Sequence, residues 1–372
     1  KVMTIGIVCY PTFGGSGVLA TELGIELSKR GYNIHFITYH QPVKLELLNH
    51  KVHFHEVKVP KYPLFHYPPY ELALSSKLVE MVKKYKIDLL HVHYAIPHAY
   101  AAYMAKKMLD DIGINIPIVT TLHGTDITLV GSQPSYKNAV EFSINKSDYV
   151  TAVSKSLKDD TIKLFDISND INVIPNFVNL NKYKPQDGKK NLLNDDNYII
   201  THVSNFRKVK RIQDVIKIFD LINKELNAKL LMIGDGPERS KAEKLCKKLG
   251  IKGKVIFFGK SNETNEILSF SDLFLLPSEI ESFGLSALEA MAAKVPVVSS
   301  NIGGIPEVNI HNYTGMLSDV GNISEMANFS IEILKNKDKL NLFRENAYKH
   351  AKKFDIHKII PKYEDVYKKL VK

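Results

Sequence analysis

Short apolar runs alternate with longer amphipathic stretches along most of the chain. The runs end at Gly, Pro, Asn or Asp, which is typical of strands buried in a parallel sheet. Because a helical stretch follows most of them, the pattern predicts βαβ units and an open sheet with helices on both faces. In the first half of the chain, these runs lie at residues 5–9, 34–38, 89–93, 116–120, 149–153 and 171–174.

A polar, turn-rich segment at residues 175–197 interrupts the pattern, which then starts again. We therefore predict an α/β fold of two tandem Rossmann-like, doubly wound domains with an interdomain cleft, where ligands bind at the carboxyl ends of the strands. The domains are expected at residues 1–176 and 177–355, and the packing of a C-terminal helix at 356–372 on the first domain is left open. The second set of runs lies at 198–203, 230–234, 255–259, 273–276 and 295–298, with helices near 212–226 and 238–249.

The composition is that of an ordinary folded protein, with 44% hydrophobic and 24% charged residues among 372, and it excludes a disordered or fibrous chain. No apolar run approaches the roughly 20 residues of a membrane helix, and no signal-peptide pattern opens the sequence. Two distant cysteines, Cys9 and Cys246, suggest no disulfide framework. We expect a reduced, cytoplasmic protein without stable membrane insertion. A homo-oligomer remains one alternative for its assembly.

Lysine and arginine outnumber the acidic residues 50 to 40, which gives a net charge of +10. Such a charge permits nucleic acid, an anionic membrane or a phosphorylated substrate as a partner. The lysines are scattered along helical stretches, as on solvated helix faces, and no basic run interleaved with aromatic residues resembles a nucleic-acid-binding module. We therefore expect no nucleic-acid partner.

A glycine-rich loop at residues 11–17 joins the first predicted strand to the first helix. Glycines let backbone N–H groups approach an anion, and the helix N-terminus adds partial positive charge. The order Gly14-Gly15-Ser16-Gly17 is neither the dinucleotide fingerprint nor a Walker loop. The favoured interpretation is a cradle for an anion or sugar phosphate, and the alternative is a tight strand–helix turn.

Two glutamates, Glu281 and Glu289, stand eight positions apart around a probable helix start near Gly284. This spacing predicts Glu281 in the preceding loop and Glu289 on the first or second turn. The free N–H groups of the helix start suit phosphates. Carboxylates accept hydrogen bonds from sugar and ribose hydroxyls, so the pair suits a nucleotide-sugar site.

The segment from Glu281 to Glu289 resembles the E-x7-E signature of retaining glycosyltransferases with the two-Rossmann, or GT-B, fold. Residues 277–278 before it and 303–307 after it match as well. The first half narrows the resemblance to the bacillithiol-pathway members of that family. The matching segments lie at residues 9–12, 14–18, 21–24, 35–38, 67–70, 91–98 and 120–126.

The resemblance implies transfer of N-acetylglucosamine from UDP-GlcNAc to the hydroxyl of L-malate, with retention at the anomeric carbon. It implies no cofactor and no metal, and the sequence contains no Asp-x-Asp motif for a metal-bound diphosphate. A different acceptor, such as inositol phosphate or a lipid, is the main alternative. A UDP-sugar epimerase is a second alternative, and a nucleic-acid-binding protein is motivated by the charge alone.

The resemblance also implies roles for single residues. Lys210 and Arg207 would bind the diphosphate, Glu281 the donor-sugar hydroxyls, and His123 would lie near the donor sugar. Many relatives place an arginine directly after a glycine in this loop, with a lysine five positions later. This chain has Asn205 at the position of that arginine, and its Arg207 lies three positions before Lys210. The remaining donor residues would be Gly15, Asn205, Ser282, Phe283, Gly284, Leu285, Ser286, Glu289 and Gly259, and the acceptor residues Ser16, Tyr94 and Thr121.

Two further groups have simpler interpretations. His91 and His93 alternate on one strand and could form a metal pair, but we favour core histidines because no third ligand is evident. An aromatic patch comprises Tyr62, Phe65, Tyr67 and Tyr70 with Pro68-Pro69, and we expect a packed loop there rather than a stacking platform.

Overall fold

The computed structural model describes residues 2–12, 15–42, 45, 50–183 and 197–371. Gly14 of the predicted glycine loop and residues 184–196 of the predicted connection lie outside them. Two compact units form the structure. One comprises the residues up to Asn176 together with those from His357 onward, and the other comprises Phe177–Ile356.

The described residues of the first unit form a seven-stranded parallel sheet. The strand order reverses at its centre, which is where doubly wound sheets bind ligands. The strands are β1 (Thr4–Val8), β2 (Asn33–Thr38), β3 (Val52–Glu56), β4 (Leu89–His93), β5 (Ile118–Leu122), β6 (Tyr149–Ala152) and β7 (Ile171–Val173). They lie in the order β3-β2-β1-β4-β5-β6-β7.

Helices connect most of these strands, as the βαβ pattern predicts. Strands β1, β4 and β5 are buried at every residue, because helices cover both faces of the sheet. The helices are α1 (Ser16–Lys29), α2 (Tyr70–Tyr85), α3 (Tyr100–Asp110), α4 (Pro134–Asn145) and α5 (Lys155–Leu164).

The second unit repeats the plan with a six-stranded parallel sheet among its described residues. Its strands are β8 (Tyr198–Val203), β9 (Ala228–Ile233), β10 (Val255–Gly259), β11 (Leu273–Leu276), β12 (Val297–Ser300) and β13 (Gly315–Ser318), in the order β10-β9-β8-β11-β12-β13. Its helices are α6 (Ile212–Glu225), α7 (Arg239–Lys248), α8 (Thr264–Ser269), α9 (Leu285–Ala292), α10 (Ile305–Val308), α11 (Ile323–Lys335) and α12 (Lys337–Ala351). The prediction of two tandem doubly wound domains is confirmed.

The last helix, α13 (Ile356–Leu370), packs against the first unit. Its Tyr367 is fully buried, and the phenol oxygen lies 2.7 Å from Nδ1 of His91 on β4. Glu364 of the same helix accepts a hydrogen bond of 2.9 Å from Arg30. These contacts attach the C-terminal helix to the first sheet.

Three aspartates fix the amino ends of neighbouring strands. Asp88 precedes β4 and accepts from the N–H of Thr4 on β1 at 2.9 Å, and Asp148 precedes β6 and accepts from Ile118 on β5 at 2.7 Å. In the second sheet, Asp272 precedes β11 and accepts from the N–H of Ile199 on β8 at 2.9 Å. Each carboxylate satisfies a strand N–H group that would otherwise lack a partner at the edge of the sheet.

The aromatic segment between β3 and α2 is exposed. Tyr62, Phe65 and Tyr67 are 54%, 49% and 82% exposed, so the expectation of a packed loop is wrong for these three residues. Tyr70, at the start of α2, does pack against the core of the first unit. Prolines at positions 60, 63 and 68 keep this segment from continuing a strand or a helix, and its rings find no place in the core. Across the described residues, no helix combines the length and the apolar character that a membrane span requires.

Candidate functional site

The carboxyl end of β11 leads directly into the two-glutamate segment of the second unit. Helix α9 begins at Leu285, and Gly284 stands at its N-cap with a φ of 91° and no side-chain cap. Glu281 therefore lies in the loop before the helix and Glu289 on its second turn, as predicted. The first-turn N–H groups, which include those of Leu285 and Ser286, are left for an anionic ligand.

A charged cluster forms around Glu281. Lys210 donates from Nζ to Oε1 of Glu281, and Ser278 donates to the same oxygen at 3.1 Å. Lys210 ends a short 3-10 turn after β8, so loops from two neighbouring strands meet here. Both partners of the ion pair are partly buried, with side chains 20% and 12% exposed. Partial burial weakens solvent screening of the pair.

The glycines after β12 let a third loop approach the same segment. A Cβ atom on Gly303 would lie 2.0 Å from the carbonyl oxygen of Glu281, and one on Gly304 would lie 2.1 Å from that of Ser282. The N–H of Gly304 donates to the Glu281 carbonyl at 3.0 Å. A side chain at either glycine would therefore displace the backbone that carries Glu281.

The other donor residues of the sequence prediction lie along the same edge of the second sheet. Asn205 and Arg207 are exposed in the loop after β8, and Gly259 ends β10 and accepts from the N–H of Gly234 at 2.8 Å. Phe283 is 3% exposed, so its backbone rather than its ring is available to a ligand.

Sequence reasoning missed His202 in the second unit. The carbonyl of Leu275 can only accept, so Nδ1 of His202 carries the proton, and Nε2 accepts from Ser204 at 2.7 Å. Burial lowers the pKa of His202 to about 4 and keeps the ring neutral. A polar residue near the carboxyl end of a buried strand, just before the loop that carries Lys210, was the available signal.

In the first unit, the glycine loop places Ser16 beside Tyr94. Their hydroxyl groups are hydrogen bonded. Ser16 is the first residue of α1, and Gly15 at the N-cap provides no side-chain cap and is exposed. Tyr94 has a φ of 84° and a ψ of 137°, a conformation that costs a residue with a Cβ on the order of 1–3 kcal/mol. Strain of this kind is concentrated at functional sites.

His123 lies next to Tyr94. The ring centroids are 5.0 Å apart, and Nε2 of His123 lies 2.8 Å from Nδ1 of His93. Burial, reinforced by neighbouring histidines, lowers the pKa values of both rings, that of His123 to about 3. These imidazoles are therefore uncharged at neutral pH.

Thr121 differs from the other predicted acceptor residues. Its hydroxyl is 2.7 Å from Nε2 of His91 and 2.8 Å from Oγ1 of Thr151, and the residue is 1% exposed. Strand β5 continues to Leu122, so Thr121 lies inside the sheet rather than at its end. The structure does not support direct contact of the Thr121 side chain with an acceptor.

The predicted core role of His91 agrees with these contacts, because both its ring nitrogens have hydrogen-bond partners. Throughout the described ranges, no group of three His, Cys, Asp or Glu side chains is arranged to hold a metal ion. Asp126, Tyr10 and His98 were not predicted, although all three lie around Tyr94. The ring centroids of Tyr10 and His98 are 4.6 Å apart, and Tyr10 lies 5.1 Å from Tyr94.

Two family models match the chain, Glycosyltransferase Family 4 over residues 13–182 and Glycosyl transferases group 1 over residues 184–350. The N-acetyl-alpha-D-glucosaminyl L-malate synthase of Bacillus anthracis is 47% identical over 370 residues, which are 98% of this chain and 96% of the relative. The chain belongs to the family 4 glycosyltransferases.

Solved structures share the fold of this chain. A glycosyltransferase from Rickettsia africae superposes with a TM-score of 0.83 at 23% identity. The match covers 100% of this chain and 99% of the Rickettsia chain. Anabaena HepE, solved in complex with UDP and glucose, superposes with a TM-score of 0.83 at 20% identity. The match covers 98% of this chain and 99% of HepE. These likenesses show that this glycosyltransferase has the GT-B fold predicted from its sequence.

Proposed function

We propose that this glycosyltransferase moves N-acetylglucosamine from UDP-GlcNAc to the hydroxyl of L-malate, with retention at the anomeric carbon. The supporting observation is the 47% identity, over nearly the whole of both chains, to a protein named for that product. The two clusters of polar residues are consistent with it, because one is charged and suits a diphosphate and the other offers neutral donors.

We assign the donor to the second unit. The Lys210 ammonium and the uncapped start of α9 stabilise the negative charge that grows on the diphosphate as the anomeric C–O bond breaks. The hydrogen bonds from Lys210 and Ser278 to the Glu281 carboxylate both reach Oε1, so Oε2 is the oxygen that we assign to a donor-sugar hydroxyl. We assign the ribose hydroxyls to Glu289 and the diphosphate also to Arg207.

We assign the acceptor to the first unit. L-Malate is a dianion, and the Ser16 and Tyr94 hydroxyls together with the uncapped start of α1 are donors for its carboxylates. The malate hydroxyl forms the new bond to the anomeric carbon, and its proton passes to the departing phosphate oxygen. His123 is assigned to the donor sugar rather than to a general base, because a departing phosphate can accept this proton.

An acceptor screen tests the proposal. UDP release from UDP-GlcNAc is measured with L-malate, D-malate or inositol phosphate, and the anomeric configuration of the product is read by NMR. We expect turnover with L-malate and an α-linked product. Turnover with inositol phosphate and none with L-malate would contradict the proposed acceptor.

The donor is tested separately by thermal unfolding. UDP and UDP-GlcNAc should raise the Tm, because a ligand that binds the native state alone stabilises it. No shift at millimolar UDP would contradict a nucleotide-sugar site, whatever the acceptor screen shows.

A further inference from the structure

Asp126 is a buried carboxylate at the carboxyl edge of the first sheet. It lies in the turn after β5 and is 2% exposed. A buried carboxylate is costly unless hydrogen bonds compensate it. Three backbone N–H groups donate to Asp126, those of Ala95 at 2.8 Å, Gly124 at 3.0 Å and His123 at 3.3 Å.

These donors come from two loops. Ala95 directly follows Tyr94 in the loop after β4, whereas His123 and Gly124 belong to the loop after β5. The carboxylate therefore joins the segments that carry the Tyr94 hydroxyl and the His123 imidazole. Each segment meets a different oxygen, Oδ2 for Ala95 and Oδ1 for the other two.

The strained backbone of Tyr94 needs such support. Its N–H donates to the Thr121 carbonyl at 2.9 Å, and its own carbonyl accepts from Ala99 at 3.1 Å. The peptide group that follows Tyr94 is held by Asp126, because its N–H belongs to Ala95. The sheet and the carboxylate together fix a residue whose φ of 84° is unfavourable by itself.

The position of Asp126 distinguishes it from the other strand-joining aspartates. Asp88 and Asp148 accept strand N–H groups at the amino ends of the same sheet, away from the edge that binds ligands. Asp126 makes the same kind of contact at the opposite, carboxyl edge. Contacts at the amino edge maintain the register of the sheet, and this one reaches the candidate acceptor residues.

We propose that Asp126 is a positioning residue, which sets the Tyr94 hydroxyl and the His123 imidazole in the geometry that glycosyl transfer to the acceptor requires. The inference rests on the proposed function, in that it takes these two side chains as acceptor and sugar contacts. The Asp126 carboxylate itself touches neither substrate.

The test compares Asp126→Asn with Asp148→Asn, which removes the matching carboxylate at the amino end of β5. For Asp126→Asn we expect kcat/KM for the acceptor to fall by about 100-fold, since small displacements of reacting groups cost this much. The fall should appear in kcat and in the KM for L-malate, with the KM for UDP-GlcNAc and the UDP-induced rise in Tm retained. Asp148→Asn should lower the Tm and leave both KM values unchanged.

A purely structural role predicts a different result, in which the two variants lose stability and keep wild-type kinetics in the folded fraction. That outcome overturns the inference. If Asp126→Asn does not fold, Asp126→Glu moves the carboxylate by one methylene, and wild-type kinetics in this variant overturn the inference equally. The wild-type rate with L-malate tests the proposed function. The inference about Asp126 is tested by the ratio of variant to wild-type kcat/KM, and this ratio can be measured with any acceptor that the wild-type enzyme uses.

Discussion

The two units place different chemistry at the same edge of similar sheets. In the first unit, the groups around Tyr94 are hydroxyls, imidazoles and one buried carboxylate that is occupied by backbone N–H groups. In the second unit, the groups around Glu281 form an ion pair with Lys210 that is partly open to solvent. One cluster offers dipoles held by burial, and the other offers charges.

Burial is the physical cause of this difference. Burial disfavours ionisation around Tyr94, so His93, His98 and His123 stay neutral at pH 7 and act as hydrogen-bonding groups. Lys210 and Glu281 keep partial access to water, which reduces the cost of their charges. The charges around Lys210 suit the proposed departing diphosphate and the buried dipoles suit the proposed acceptor, because both tasks need groups that are already held in place before the reaction.

Acidification should separate the two units, and we expect the largest effect here. A histidine with a lowered folded pKa binds its proton in the unfolded state first, so stability is lost as the pH falls below the unfolded value of about 6.5. Burial lowers the pKa of His91 to about 3 and that of His98 to about 4, and each contributes about 2 kcal/mol of destabilisation at pH 5. Among the described residues, the histidines whose pKa is lowered are His35, His55, His91, His93, His98 and His123 in the first unit and His202 and His350 in the second.

Hydrogen exchange followed by mass spectrometry measures the loss of stability of each unit between pH 7 and pH 5. The rates are corrected for the intrinsic pH dependence of exchange. Peptides from β4 and β5 should lose protection before peptides from β8 and β11. His91→Asn should reduce the difference in protection between these two sets of peptides. Equal loss of protection in both units would contradict the contrast in burial.

Removal of the Lys210 charge should have the next largest effect. Lys210→Ala should lower kcat by about 100-fold or more, because one group that stabilises developing charge contributes this much. The UDP-induced shift in Tm should shrink, and the Tm without ligand should fall only moderately, because Glu281 loses a partner but keeps partial access to water. Lys208→Ala, in the same 3-10 turn, is the control and should keep wild-type turnover. Unchanged kcat in Lys210→Ala would remove its assigned role.

The sequence pattern predicted the central strands and missed two edge strands. Central strands such as β1 and β11 are buried on both faces and appear as continuous apolar runs. Strand β3 lies at an edge and alternates histidines with apolar residues, and β13, at the edge of the second sheet, has only two apolar residues between Gly315 and Ser318. A pattern built on apolar runs cannot detect either.

The candidate site was predictable where its residues are close in sequence. Glu281 and Glu289 flank one helix start, so their spacing determined their placement. Asp126 and Ala95 are 31 positions apart, and their contact arises only when β4 and β5 pair. Thr121 was assigned to an acceptor because the predicted run ends at residue 120, whereas β5 continues two residues further, to Leu122, and therefore includes Thr121.

A smaller change probes the neutral site. Tyr94→Phe removes the hydroxyl that bonds to Ser16 and keeps the ring against His123. The KM for L-malate should rise by about 5–10-fold, as expected for the loss of one hydrogen bond, with the KM for UDP-GlcNAc unchanged. Tyr103→Phe, on α3, is the matched control. An equal change in both KM values would show that Tyr94 does not distinguish acceptor from donor.

Chelation should have the smallest effect, and it tests whether the charge of the second site belongs to the protein. Lys210 stands beside Glu281, and the sequence has no Asp-x-Asp motif to bind a metal–diphosphate complex. Turnover after EDTA treatment and gel filtration should therefore stay within about twofold of the untreated enzyme, because a lysine side chain is not removed by chelation. Added Mg²⁺ should not increase it. Loss of activity with EDTA and recovery with Mg²⁺ would mean that a divalent ion, rather than Lys210 and the start of α9, neutralises the departing diphosphate.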